Sequence, residues 1–315
     1  MKENELRLFT WVRNFSSLAV LAGIVLSLLF SNILGSSSMG WQIINAVVAL
    51  AVGIPHGALD HLVTLPRSKP LKMFLFISIY VAIAAISVVA ILKFNTAGFV
   101  VVVLMSATHF GIGDAAFLSE MDRRSGASKK LPRSAYAIAS GFIPVLIPLV
   151  NSASSDSLEE VNPVIVNLHQ GFDQQLLVAA IVIGAISILV LMHKGRNREA
   201  IDVSLLLTLS LVAQPLIAFS IYFGCWHAMR HTARLTLVLE SSQRAIAANK
   251  LGSAFSSAVL PGIPALIATF GLAGLLAGSD AKFSNDFFWM ALVVVWALTV
   301  PHMMVTARLD RAALT

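Results

Sequence analysis

Four of the eight histidines occur at positions where they could bind one metal ion. His227 and His231 are four residues apart, a spacing that places both rings on one face of a helix. His56 and His109 lie in two other apolar segments. Imidazole suits Zn, Cu, Fe and Ni, and a set without thiolate argues against a structural zinc site. The alternative is that the H-x-x-x-H pattern arose by chance.

The histidines belong to a chain with the composition of a membrane protein. Of its 315 residues, 57% are hydrophobic and 12% are charged, and the mean hydropathy is +0.83. Water-soluble domains carry about 25% charged residues. Apolar runs of about 20 residues between short charged clusters predict an all-α, polytopic integral-membrane bundle that forms one domain over 1–315. This composition excludes a nucleic-acid module, a secreted disulfide scaffold and an ordinary cytosolic enzyme.

Ten apolar segments are predicted to span the membrane. The seventh and eighth are separated at Gln214-Pro215, because 201–238 is too long for one span and proline disfavours helix continuation. With ten spans, 20 of the 22 Lys and Arg residues fall on one side, which predicts that both termini are cytoplasmic. Only Lys93 and Lys282 fall on the other side. The segments cover about 14–34, 41–64, 73–92, 98–118, 134–150, 174–193, 201–213, 216–238, 254–277 and 286–307.

The four histidines are predicted to lie at one depth in the bilayer. They occur on even-numbered segments, about 7 to 11 residues from the predicted cytoplasmic ends, which at about 1.5 Å per residue places them within roughly 6 Å of one plane. Polar residues within lipid are costly and usually functional. We therefore predict a metal site formed by His56, His109, His227 and His231.

Two aspartates follow these histidines closely. Asp60 comes one turn after His56, and Asp114 comes just over one turn after His109. A carboxylate that accepts the distal ring N–H fixes the tautomer and orientation of a metal-bound histidine. The alternative is that both aspartates mark the cytoplasmic ends of their helices.

Other side chains are candidates for contact with the ligands or with a substrate. His61 and His302 lie nearer the cytoplasmic interface, and His302 is the stronger candidate for a fifth member of the site. His169 and His193 are expected at the membrane surface. Aromatic and methionine side chains at the level of the four histidines could line an apolar tunnel, although each alone is more commonly a core or lipid-facing residue; they are Phe110, Tyr222, Trp226 and Met303.

Four short motifs occur in order along most of the chain. They are Pro-His-Gly-Ala-Leu-Asp-His at 55–61, Thr-His-Phe-Gly-Ile-Gly-Asp at 108–114, Trp-His-Ala-Met-Arg-His at 226–231 and Pro-His at 301–302. Together they resemble motifs of the bacterial and archaeal β-carotene 15,15′-dioxygenases, also described as the bacteriorhodopsin-related-protein-like homologues. The resemblance implies four histidine ligands to iron(II), which map onto His56, His109, His227 and His231.

The same resemblance implies cleavage of the central double bond of β-carotene with O2 to give two molecules of retinal. Such a polyene dissolves in the lipid bilayer, so an enzyme in the plasma membrane can admit it laterally into an apolar tunnel. A retinal-binding opsin is a candidate acceptor for the product. Nucleic acid is not an expected partner.

Two other classes fit part of the pattern. A transporter or channel would also have many helices with intramembrane His and Asp residues, but the chain has no evident internal repeat. A haem protein with two axial histidines would bind its cofactor through pairs on facing helices.

Overall fold

The computed structural model describes residues 2–30, 39–64, 69–151, 158–278 and 285–315. The regular elements in these ranges are helices, and no strand occurs among them. Residues 31–34 of the first predicted span and Lys282 lie outside the described ranges. The α-helices are α1 Lys2–Phe30, α2 Met39–Gly57, α3 Asp60–Thr64, α4 Pro70–Ser125, α5 Arg133–Val150, α6 Pro163–Val166, α7 Asp173–His193, α8 Asn197–Val212, α9 Pro215–Ser220, α10 Ala228–Leu235, α11 Glu240–Ala247, α12 Leu251–Ser257, α13 Ile263–Ala277 and α14 Asp286–Leu314.

Seven helical segments of the described chain are long and apolar enough to cross a membrane. They carry large apolar side chains on their exposed faces, such as Leu275, which is 81% exposed. Lipid is the environment in which such faces are stable. The chain is therefore a membrane protein, while ten spans and cytoplasmic termini stay predictions. The seven segments are Lys2–Phe30, Met39–Thr64, Pro70–Ser125, Arg133–Val150, Asp173–His193, Leu251–Ala277 and Asp286–Leu314.

Two of the ten predicted segments, 73–92 and 98–118, lie in the single long helix α4. Asn95 breaks the helical geometry between them with φ 48° and ψ −116°. Its ψ lies outside the left-handed helical well in which asparagine is best tolerated, so the break is a strained point of the backbone. The break gives each half of α4 its own direction.

The helix also breaks at the predicted Gln214-Pro215 step. α8 ends at Val212, Gln214 is extended, and α9 begins at Pro215. Proline cannot donate the backbone hydrogen bond that a continuing helix needs. After α9 the chain forms a π-helical turn, Ile221–His227, before α10. Such π turns occur frequently at functional sites, and this one ends at a predicted ligand.

The helices α4 and α5 cross at unusually short range beside His109. A Cβ atom built on Gly111 would overlap the carbonyl group of Ala137, and one built on Gly141 would overlap the carbonyl oxygen of Ala107. Only glycine permits this approach of the two backbones. The crossing fixes the position of the α4 turn that carries His109.

Candidate metal centre

Five histidine rings meet in the interior of the bundle. His56 comes from α2, His109 from α4, His227 and His231 from the π turn and α10, and His302 from α14. Each residue is at most 6% exposed. The four residues of the predicted site are brought together, and His302 joins them.

The rings of the cluster lie close to one another. The centroid of the His56 ring is 5.0 Å from that of His231 and 5.6 Å from those of His227 and His302. The His109 centroid is 5.3 Å from His227, 5.0 Å from His302 and 6.4 Å from His231. Rings that meet at these distances from five different helical elements form one compact cluster.

Several ring nitrogens of the cluster are buried without a hydrogen-bond partner. A buried polar group without a partner costs about 1–3 kcal/mol, so several together require an explanation. Neutral imidazole nitrogens are ligands for iron, zinc, copper and nickel. The atoms are His56 Nδ1, His109 Nε2, both ring nitrogens of His227 and His231, and His302 Nε2.

The spacing of the rings fits ligands around one ion. With a metal–nitrogen distance of about 2.1 Å, the centroid of each ring lies about 3.2 Å from the metal, so neighbouring rings are about 4.5–5.3 Å apart and opposite rings about 6.4 Å apart. The observed centroid separations of 5.0–6.4 Å lie within this range. No group of three or more His, Cys, Asp and Glu side chains in the described ranges has its donor atoms already converged for a metal ion. Metal binding would therefore require some of these rings to rotate about their side-chain bonds.

The two aspartates have partners other than those expected. Asp60 was expected beside His56, but the helix ends at Gly57 and a two-residue turn redirects the chain, so Asp60 Oδ2 lies 2.9 Å from Nδ1 of His302. Asp114 follows His109 by five residues, which turns it about 140° around the helix. Its Oδ2 accepts a 2.7 Å hydrogen bond from the indole nitrogen of Trp226.

The other predicted site residues include His61, Phe110, Tyr222 and Trp226, and they have different surroundings. Nδ1 of His61 faces the carbonyl oxygen of Ala58 at 3.0 Å, so this nitrogen is engaged by the turn between α2 and α3. The Phe110 ring packs 4.3 Å from the His227 ring and 5.8 Å from that of Tyr222. Trp226, predicted as a tunnel residue, is fully buried and lines neither cavity described below.

Two cavities lie along successive stretches of α14, and His109 of the cluster lines one of them. The apolar cavity, of about 100 Å³, includes Phe110, Tyr222 and Phe223 and α14 residues from Phe288 to Thr299. The second, which we call the α14 cleft, has a volume of about 370 Å³ and includes His109 and α14 residues from Met303 to Thr315. His302 lies between the two stretches of α14.

Two buried arginines, Arg230 and Arg234, hold side chains next to the histidine cluster. The sequence interpretation missed this role. Arg230 places its guanidinium carbon 3.5 Å from the Trp226 ring centroid and donates a 3.0 Å hydrogen bond to the Tyr136 hydroxyl. Arg234 pairs with Asp310 at 2.6 Å and with Glu120 at 3.4 Å. The signal was present, because both arginines follow a histidine by three residues and carboxylates occur within or just beyond other apolar segments.

Comparison with known proteins supports the motif resemblance. The family model described as β-carotene 15,15′-dioxygenase matches residues 47–310, a range that contains all five clustered histidines. The probable β-carotene 15,15′-dioxygenase Blh of Halobacterium salinarum is 24% identical, over 84% of this chain and 82% of its own length. No solved structure matches the chain significantly. The chain belongs to the β-carotene 15,15′-dioxygenase family.

Proposed function

We propose that this protein cleaves the central 15,15′ double bond of β-carotene with O2 to give two molecules of all-trans-retinal, using iron(II) held by His56, His109, His227 and His231. The observation that carries the proposal is the buried cluster of five histidines, whose His109 lines the α14 cleft while the neighbouring Phe110, packed 4.3 Å from the His227 ring, lines the apolar cavity. A symmetrical polyene would place one arm in each cavity and its central bond beside the cluster.

The residues of the site have distinct parts in this reaction. The bound iron supplies the redox chemistry that O2 needs to react with a closed-shell alkene. Phe110, Tyr222 and Phe223 form an apolar wall on the cluster side of the apolar cavity, where they hold the polyene in place and exclude water. Such positioning converts the encounter of two reactants into a reaction within one bound complex.

The membrane location suits this substrate. β-Carotene partitions into the bilayer, so the protein would receive it from lipid rather than from water. Exposed apolar side chains such as Leu71 and Phe74 on α4 are compatible with a lipid boundary. We place the protein in the plasma membrane of the cell, with a retinal-binding opsin as a candidate acceptor of the product.

Co-expression in a bacterium that accumulates β-carotene tests the proposal. Aerobic cells that express the intact chain should lose orange colour and form retinal, measured by chromatography of cell extracts. The His231→Ala variant, expressed to the same level in the membrane, should form none. Unchanged β-carotene in the presence of membrane-inserted protein and added iron would overturn the proposal. A Soret band in the purified protein would instead indicate a haem protein.

A further inference from the structure

His302 differs from the other clustered histidines because it has a carboxylate partner. Its Nδ1 lies 2.9 Å from Oδ2 of Asp60, and both side chains are 6% exposed. An ionised carboxylate can only accept a hydrogen bond, so Nδ1 of the neutral His302 ring carries the hydrogen. Nε2 then keeps its lone pair. That Nε2 is buried and has no hydrogen-bond partner. The ring itself lies 5.0 Å from His109, 5.3 Å from His231 and 5.6 Å from His56.

Asp60 is in turn held by a second donor. The hydroxyl group of Tyr80 donates a 3.0 Å hydrogen bond to the same Oδ2 atom. Asp60 is the first residue of α3, Tyr80 belongs to the first half of α4, and His302 belongs to α14. The carboxylate therefore joins three elements of the fold and fixes the orientation of the His302 ring.

We propose that His302 is a fifth imidazole ligand of the metal at this site, with Asp60 and Tyr80 as positioning residues. The inference rests on the metal of the proposed function but not on its substrate. A His–Asp pair that served only to fasten α3 to α14 would not need Nε2 free and buried among four other imidazoles. The recurrent use of carboxylates behind metal-bound histidines gives the pair a direct role instead.

The pair also changes the charge at the centre. Four neutral imidazoles leave the 2+ charge of the ion uncompensated in a low-dielectric interior. Asp60 would place one negative charge on the opposite side of the His302 ring from the ion. Its hydrogen bond with Nδ1 would also make the His302 ring a more basic ligand. Three other buried carboxylates, Asp114, Glu120 and Asp310, are instead engaged by Trp226 or Arg234.

X-ray absorption at the iron edge tests the proposal without any substrate. The full-length protein would be purified in lipid nanodiscs and loaded anaerobically with Fe(II), and the number of imidazole ligands would be fitted. We expect five imidazoles in the wild type and four in His302→Ala. Titration with Co(II), followed by its visible bands, should show affinity at least 10-fold weaker in His302→Ala and about 10–100-fold weaker in Asp60→Asn.

Matched variants separate ligand loss from misfolding. His61→Ala removes the residue next to Asp60, whose ring faces Ala58, and should keep five imidazoles and wild-type Co(II) affinity. If His302→Ala fails to insert, His302→Gly with added imidazole should recover the fifth ligand and the affinity. Four imidazoles in both wild type and His302→Ala, with equal affinity, would overturn the proposal.

The two proposals fail in different ways. A wild-type protein with five imidazoles that leaves β-carotene intact supports the fifth ligand and overturns the proposed function. A wild-type protein that forms retinal and has the same four imidazoles as His302→Ala supports the proposed function and overturns the fifth ligand. Wild-type protein that takes up no metal overturns both.

Discussion

The indole N–H of Trp226 donates a 2.7 Å hydrogen bond to Oδ2 of Asp114. Trp226 immediately precedes His227, and Asp114 lies on the α4 turn that follows His109. The bond therefore ties together two elements that carry histidines of the cluster. The guanidinium group of Arg230 covers the Trp226 indole ring and adds a second buried contact to this support.

Replacing Trp226 by phenylalanine should destabilise the protein while leaving its histidines in place. The buried carboxylate of Asp114 would lose its donor, which costs about 1–3 kcal/mol. Thermal unfolding in detergent should show a lower midpoint, whereas Fe(II) content should be unchanged. Trp11→Phe serves as the control, because Trp11 is 52% exposed, and should change stability by less than about 0.5 kcal/mol. Equal effects of the two variants would contradict the support role.

Replacing His227 or His231 by alanine should remove metal and activity together. Both rings are buried with both nitrogens unpartnered, so neither has another evident role. Iron measured by elemental analysis should fall at least 10-fold, in parallel with retinal formation. His193→Ala, at the exposed end of α7, should retain both. Full iron content in His227→Ala would disprove the ligand assignment.

Replacing Arg234 by methionine should leave two buried carboxylates without their cation. Removal of one partner from a buried ion pair typically costs about 3–5 kcal/mol. The triple variant Arg234→Met, Glu120→Gln, Asp310→Asn should recover part of the loss, because the unpaired charges are gone. Arg308→Met, at an exposed position of α14, should be close to neutral. Stability is compared by thermal unfolding; a neutral Arg234→Met would show that the pair contributes nothing.

Replacing Gly111 by alanine should disturb the crossing of α4 and α5. The added Cβ would overlap the carbonyl group of Ala137, and overpacking of this kind costs about 1–3 kcal/mol. Gly271→Ala in α13 meets no atom within 4 Å and should be neutral or stabilising by up to about 1 kcal/mol. Gly111→Ala should therefore lower the midpoint of thermal unfolding, whereas Gly271→Ala should leave it unchanged or raise it. A stabilised Gly111→Ala protein would refute the close approach.

Replacing Leu292 by tryptophan should fill the apolar cavity, of which Leu292 is a wall residue. If one arm of β-carotene occupies this cavity, retinal formation should fall at least 10-fold, because the substrate can no longer place its central bond at the cluster. Iron content should not change. Leu275→Trp, at a position that is 81% exposed, should retain wild-type turnover. Undiminished activity in Leu292→Trp would remove this cavity from the substrate path.

Much of the site was predictable because membrane helices obey simple geometric rules. The i,i+4 spacing of His227 and His231 and the shared depth of His56 and His109 followed from the rise of a helix and from the cost of polar groups in lipid. The break at Pro215 followed from the missing backbone N–H of proline. Family membership followed from short motifs that keep their order along the chain.

The sequence by itself thus determined the membrane class, the four candidate ligands and the family. Only the tertiary structure decided which partner each polar side chain has, because that depends on the rotation of each helix and on where the chain leaves it. The turn after Gly57 places Asp60 beside His302. Asp114 follows His109 by five residues, so it faces Trp226 instead of His109. Helix rotation and crossing are set by packing among distant segments, such as the Gly111–Gly141 contact, and local sequence patterns do not carry that information.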